Sequence, residues 1–161
     1  MTRNKKILNL NKLIDVILEE KKKGKTIAFT NGCFDIIHYG HVVYLQKAKE
    51  LADILVVGIN SDNSVKKIKG EKRPINSLKE RMGVIAALEA VDFVVPFSET
   101  TPYNLIKTIR PDFLVKGGDW KKSDIVGADI VNSYGGKVVT VKYLKGISTS
   151  HIINRIVKKF S

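Results

Sequence analysis

Apolar residues recur along the chain in two alternating rhythms. Leu10, Leu13, Ile14, Ile17 and Leu18 fall at helical spacing, and the charged run Glu19–Lys23 with Gly24 closes that segment. Thr26–Thr30 (TIAFT) is instead a short apolar run ended by Asn31-Gly32, the pattern of a buried strand. The alternation then repeats. Residues 40–52 predict a helix and Ile54–Ile59 a strand. Residues 77–90 predict a helix with Ser77 and Glu80 as its capping box, followed by a strand at Phe93–Phe97. A helix at 102–110 stops before Pro111, and Phe113–Lys116 reads as strand four. Residues 123–134 read as a helix ending at Gly135-Gly136, Lys137–Val141 as strand five, and 148–159 as a last helix.

Strands alternating with helices, each strand a β-branched run, imply an α/β fold. The expected form is a doubly wound, Rossmann-like, five-stranded parallel sheet with helices on both faces. No repeat, low-complexity stretch or linker divides it, so residues 1–161 are expected to form a single domain. Ligands of such folds sit beyond the carboxyl ends of the strands, where the strand order reverses. The residues just after each strand therefore carry the most weight.

At 161 residues and 43% hydrophobic, the chain can bury a core without a disulfide or metal staple. Lys and Arg number 28 against 16 Asp and Glu, a formal charge of +12. Residues 1–25 contribute +5, residues 62–82 contribute +4 and residues 155–161 contribute +3; the rest is balanced. Such a field favours anionic partners: nucleic acid, a membrane surface or a phosphorylated small molecule. Aromatic residues are only 7% and not interleaved with the basic runs, so no nucleic-acid partner is expected. No apolar run approaches the roughly 18 residues that cross a bilayer. The N-terminus lacks the apolar stretch and cleavage site of a secretory signal, so a cytoplasmic setting and no membrane partner are expected. One cysteine, Cys33, excludes an internal disulfide, and with three His it speaks against a protein-held metal.

The string Asn31-Gly32-Cys33-Phe34-Asp35-Ile36-Ile37-His38-Tyr39-Gly40-His41 follows the first strand. Two histidines around a glycine at a helix start can aim both imidazoles at one point. Gly40 lets a bulky group approach the backbone, and the free helix N–H groups favour an anion such as a reacting phosphoryl group. An isolated H-x-x-H also suits capping residues or a metal pair. Asp35 could orient a turn or contact substrate. Cys33 reads as a packing residue, because no base is placed to activate it.

Three further stretches invite a similar choice. Lys116-Gly117-Gly118-Asp119-Trp120 ends strand four: its glycines let a flat ligand approach and its Asp can accept from ribose hydroxyls, although a plain turn fits too. Ser148-Thr149-Ser150 can cap the last helix or hold phosphate there. Lys66, Lys67, Lys69, Lys72, Arg73, Lys79 and Arg81 form a basic stretch, of which Lys66 and Lys79 read as solvated. Arg81 lies beside the apolar stripe Leu78, Met82, Ile85 and Leu88, where a structural ion pair and a phosphate contact are equally consistent.

In order, these motifs resemble the signature of the nucleotidyltransferase superfamily that includes the cytidylyltransferases, whose hallmark is H-x-G-H. Within it the chain resembles the heptose 1-phosphate adenylyltransferases, which exist as separate proteins or as the C-terminal half of a bifunctional heptose kinase/adenylyltransferase. Gly58-Ile59-Asn60-Ser61-Asp62, Lys69-Gly70, Arg73-Pro74, Glu80-Arg81-Met82, Ala86–Asp92, Thr101-Pro102, Val115–Trp120 and Gly146–Ser150 carry the likeness, which spans about Leu10 to Phe160.

The resemblance implies transfer of AMP from ATP to a heptose 1-phosphate, giving ADP-heptose and pyrophosphate for lipopolysaccharide core or surface-carbohydrate assembly. It implies Mg2+ accompanying ATP, no covalent intermediate, a homo-oligomer of two or more chains, and a separate kinase supplying the sugar phosphate. His38 and His41 would stabilise the pentavalent α-phosphorus with help from Lys69. Gly32, Phe34, Asp35, Gly40, Gly117, Asp119, Ser148, Thr149 and Ser150 would bind the nucleotide. Arg81, Asn60, Asp62 and Trp120 would make further phosphate or substrate contacts. The alternative is a cytidylyltransferase acting on a polyol phosphate such as glycerol 3-phosphate. Those enzymes typically carry an arginine just before G-I-S-T, where this chain reads Tyr143-Leu144-Lys145-Gly146.

Overall fold

Asn31-Gly32 ends the first apolar run as expected, and the other four runs are strands as well. In a computed structural model, which describes residues 5–118, 120–142, 144 and 146–160, the strands are β1 (Ile27–Gly32), β2 (Ile54–Asn60), β3 (Phe93–Phe97), β4 (Phe113–Gly117) and β5 (Lys137–Val141). All pair in parallel, in the order β3-β2-β1-β4-β5. The helices are α1 (Leu10–Lys22), α2 (Tyr39–Lys49), α3 (Asp62–Lys69), α4 (Leu78–Ala86), α5 (Tyr103–Ile109), α6 (Ala128–Ser133) and α7 (Thr149–Phe160).

Successive strand residues point to opposite faces, and two apolar clusters follow. Phe29, Val56 and Leu114 pack with Leu13 and Ile17 of α1 and Leu105 and Ile106 of α5. Ala28, Leu55, Val57 and Val115 pack with Tyr44 and Leu45 of α2 and Ile85 of α4. Helices thus cover both faces of an α/β sheet. Residues 6–8 cover the β3 edge: Val94 donates to the Lys6 carbonyl and Leu8 donates to the Val94 carbonyl.

Three elements differ from the sequence expectation. Helix α3 is unpredicted, since only Val65 and Ile68 interrupt its polar face. It forms because the Ser61 hydroxyl caps it, with Asp62 in the first turn and Lys66, Lys67 and Lys69 in the last, matching the helix dipole. Helix α4 ends at Ala86, short of residue 90. Helix α6 starts at Ala128 rather than 123, after a 3-10 turn at Lys122–Asp124 and Gly127 at φ +87. A Cβ on Gly127 would stand 2.6 Å from Ile106 Cδ1, so the chain turns there against α5.

Order reverses between β1 and β4, and there the sheet opens. β1 pairs with β2 along its whole length, whereas its ladder with β4 covers Ala28↔Phe113 and Phe29↔Leu114. Beyond that point the Tyr44 hydroxyl stands between the strands, 2.6 Å from Thr30 Oγ1 and donating to the Val115 carbonyl at 3.1 Å. This wedge holds open the crevice where an α/β sheet takes its ligand.

Candidate active site

A cleft of about 680 Å³ occupies that crevice. Its walls come from the loop after β1 and the start of α2, from Lys69 and Arg73, from Lys116 and Gly117, and from Ile147 to Ser150. The segments that the sequence singles out after strands one, four and five therefore meet in one place.

His38 has extended backbone and caps α2, its carbonyl accepting the His41 N–H at 2.9 Å. The two imidazoles stack with centroids 3.8 Å apart and 23° between planes. Phe34, at φ +47, tilts its ring against His41 at 5.3 Å. Both nearby glycines make room for these rings. A Cβ on Gly32 would lie 3.0 Å from Phe34 Cε2, and one on Gly40 would lie 3.1 Å from His38 Nδ1. Gly40 thus admits a bulky group as expected, but that group is the protein's own imidazole.

Among the described residues, Nδ1 of His38 and of His41 are buried without a hydrogen-bond partner. Burial, reinforced by the neighbouring His38, pulls His41 down to about 4, and burial also lowers His38. Both rings are therefore neutral at pH 7, and an anion in the cleft would reverse the penalty on their charge. Buried polar atoms left unpaired call for a partner.

The start of α7 closes the other side. Ser148 Oγ caps it by accepting the His151 N–H at 3.1 Å, and Thr149 Oγ1 donates to the Ile36 carbonyl at 3.4 Å. Ile147 also approaches Gly40, 3.7 Å from where its Cβ would be. Thus α7 is tied to the histidine loop, while Ser150 stands exposed at the cleft.

A family model described as cytidylyltransferase-like matches residues 29–155. The chain belongs to the cytidylyltransferase-like family. It is 51% identical over 155 residues to the bifunctional protein HldE of Geobacter sulfurreducens, covering 96% of this chain and 32% of that protein. It is 56% identical over 135 residues to the bifunctional protein HldE of a Nitratiruptor species, covering 84% and 28%. The chain thus spans about a third of the length of the curated relatives it matches. Among solved structures, a lipopolysaccharide core biosynthesis protein from Thermoplasma volcanium superposes with TM-score 0.63 at 28% identity, over 77% of this chain and all of that one. Pantoate-beta-alanine ligase from Francisella tularensis shares the fold, with TM-score 0.62 at 17% identity over 94% and 78%.

In this cytidylyltransferase-like site, four of the expected contact residues hold structure with their side chains. Arg81 is 1% exposed, and its guanidinium donates to the carbonyls of Cys33, Asn60 and Asn76 and to Asp62 Oδ1 at 2.7 Å. Of its two readings the ion pair is the one realised; Arg81 and Asp62 do not line the cleft. Asn60 reaches the cleft, but its amide donates to Ser64 Oγ and the Glu99 carbonyl. Asp35 accepts from the Ile75 and Asn76 N–H groups and from Arg73 Nε. Burial pushes Asp35 upward, yet these bonds outweigh it and leave the carboxyl below its usual range. Asp35 therefore clasps the basic loop from the floor of the cleft that it also lines.

The other described residues expected at the site line the cleft of this cytidylyltransferase-like domain. Lys69 is exposed at the end of α3, where Gly70 stops the helix at φ +93. Gly117 is buried, and its carbonyl accepts from the half-exposed Trp120 indole at 3.1 Å. Asp119 lies outside the described residues. Burial pushes the Cys33 thiol up, consistent with packing. Among the cleft residues to which the sequence reading gave no role are Asn31 and Lys116. The only signal was that each opens a motif, N-G-C-F-D and K-G-G-D-W.

Proposed function

We propose that residues 1–161 form one nucleotidyltransferase domain that transfers AMP from ATP to a heptose 1-phosphate. ADP-heptose and pyrophosphate would result, for lipopolysaccharide core or surface-carbohydrate assembly. One observation carries this reading: a stacked, neutral histidine pair with both Nδ1 atoms unpaired, set between the starts of α2 and α7. The resemblance to the heptose 1-phosphate adenylyltransferases and the match to HldE proteins support the choice of substrate.

In this reading a sugar phosphate oxygen attacks the α-phosphorus in line. The new P–O bond forms as the bond to pyrophosphate breaks, and no protein group is acylated or phosphorylated. His38 and His41 meet the charge that grows on the α-phosphoryl oxygens, in a site where hydrogen bonds are strong because water is scarce. The N–H groups opening α7, with Ser148, Thr149 and Ser150, and the cations Lys69 and Arg73 hold the triphosphate. Gly32, Phe34 and Gly40 support the histidine loop, Gly117 and Trp120 border the nucleoside, and the resemblance gives Asp119 to nucleotide binding.

Among the described residues no group of three or more His, Cys, Asp or Glu could cage a metal. Mg2+ would accompany ATP, held by phosphate oxygens and water. The ion, when bound, neutralises charge on the β- and γ-phosphates. No described helix is long and apolar enough to cross a membrane; the cytoplasmic setting of the reaction is part of the proposal. Ile156, Val157 and Phe160 of α7 are half or more exposed, which supports a homo-oligomer.

A nucleotide panel tests the reading. Pyrophosphate release is expected with ATP plus heptose 1-phosphate and not with CTP, GTP or UTP. Release with CTP and glycerol 3-phosphate would overturn it.

A further inference from the structure

We propose that Lys116, held by Asn31, is the seat of the acceptor's phosphate. The inference rests on the reading above and adds the residue that recognises the sugar phosphate. Asn31 and Lys116 are each the last residue but one of their strands, β1 and β4, on either side of the crevice that Tyr44 wedges open. Lys116 Nζ donates to Asn31 Oδ1 at 2.6 Å, and both side chains line the cleft.

Among the described residues Lys116, like the exposed Lys69, has no ion pair, but unlike Lys69 it is withdrawn from solvent. Arg73 is paired with Asp35 and Arg81 with Asp62. Among the described residues no carboxylate lies within ion-pair reach of Lys116. Burial lowers it to about 8, outweighing the opposing influence of the Cys33 thiol. An ammonium withdrawn from water without an anion is costly, and a cleft that keeps one is built to receive an anion. It has three N–H donors, of which Asn31 occupies one.

In-line displacement sends the pyrophosphate out opposite to the entering oxygen, so the two phosphate groups need separate cationic seats. Lys69, Arg73 and the start of α7 stand on the segments after β2 and β5. Lys116 stands instead on β4, an internal strand of the sheet. A phosphate monoester dianion, the reacting group of the acceptor, matches that seat in charge and in hydrogen-bond acceptors.

Calorimetric titration of the full chain saturated with α,β-methylene-ATP, which cannot transfer AMP, tests the assignment. The titrants are heptose 1-phosphate and inorganic phosphate. Wild-type protein is expected to bind both. Lys116→Met removes the charge without the bulk, and is expected to lose about ten- to a hundredfold in affinity for both, with nucleotide affinity changed by less than about twofold. Asn31→Ala should lose part of the same affinity. Equal binding by wild type and Lys116→Met, an equal loss for nucleotide, or no phosphate binding by wild type would each overturn the proposal. Wild type that binds inorganic phosphate through Lys116 but refuses heptose 1-phosphate would uphold Lys116 and remove heptose as the acceptor.

Discussion

A Cβ at position 40 would stand 3.1 Å from Nδ1 of His38. The imidazole keeps its stacking on His41 because Gly40 leaves that space empty. Gly40→Ala should therefore separate activity from stability. Alanine suits the first turn of α2 better than glycine by about 0.5–1 kcal/mol, so the Tm should hold or rise. Yet the ring must shift by a few tenths of an ångström, and kcat should fall by roughly tenfold, since positioning errors of this kind are costly. Unchanged kcat in a pyrophosphate-release assay would contradict this.

The same pair sets a dependence on pH. His41 titrates at about 4 in the folded protein, below its ordinary value of 6.5. The unfolded chain therefore takes up this proton first as pH falls. Stability linked to the neutral ring is full above pH 6.5 and is lost as pH drops toward 4. The ring is partly solvated, so the loss should be roughly 1–2 kcal/mol, read as a lower Tm that His41→Asn flattens. Polyphosphate binding raises the pKa and should take up protons near pH 5.5, visible as a heat that depends on the buffer. His38→Ala and His41→Ala should each lower kcat by about 10²–10³ with the circular dichroism retained.

Arg81 is a test of a structural assignment. Its guanidinium ties the ends of β1 and β2, the first turn of α3 and the approach to α4. Arg81→Ala strands one buried and two part-buried carbonyls and leaves the half-exposed Asp62 unpaired, and should cost about 1–3 kcal/mol. Arg81→Lys cannot reach all four acceptors and should be nearly as damaging. In both, the loss should appear in chemical denaturation before it appears in the KM for ATP. A stable Arg81→Ala protein with a raised KM would return Arg81 to phosphate binding.

These sites also show what the sequence could and could not reveal. Strand positions were legible because each buried strand is an unbroken apolar run, and β3 and β5 fall on the residues expected. Helix α3 was hidden by Lys66, Lys67 and Lys69, a run that looks like a solvated loop until its cap and dipole are considered. The histidine pair was legible because spacing at a helix start fixes where both rings point. Arg81 was not, because its acceptors are backbone carbonyls from distant segments, which leave no trace in side-chain pattern. Lys116 and Asn31 meet only through the apposition of β1 and β4, and so were read merely as the borders of glycine motifs.

Tyr44 offers the sharpest check that the crevice is built rather than incidental. Its hydroxyl joins Thr30 Oγ1 to the Val115 carbonyl, both fully buried. Asn31 and Lys116 are the next residue along each strand. Tyr44→Phe removes the hydroxyl while keeping the ring, so the apolar packing against Leu45, Val57 and Val115 should persist. Thr30 and Val115 then lose a partner in a place water does not reach, at a cost of about 1–3 kcal/mol. For a chain of this size that lowers the Tm by roughly 2–10 °C. The wedge also sets the gap that the Asn31–Lys116 contact spans. The KM for the sugar phosphate should therefore rise more than the KM for ATP. A variant that melts like wild type with both KM values unaltered would show that the strands part at this point without help from Tyr44.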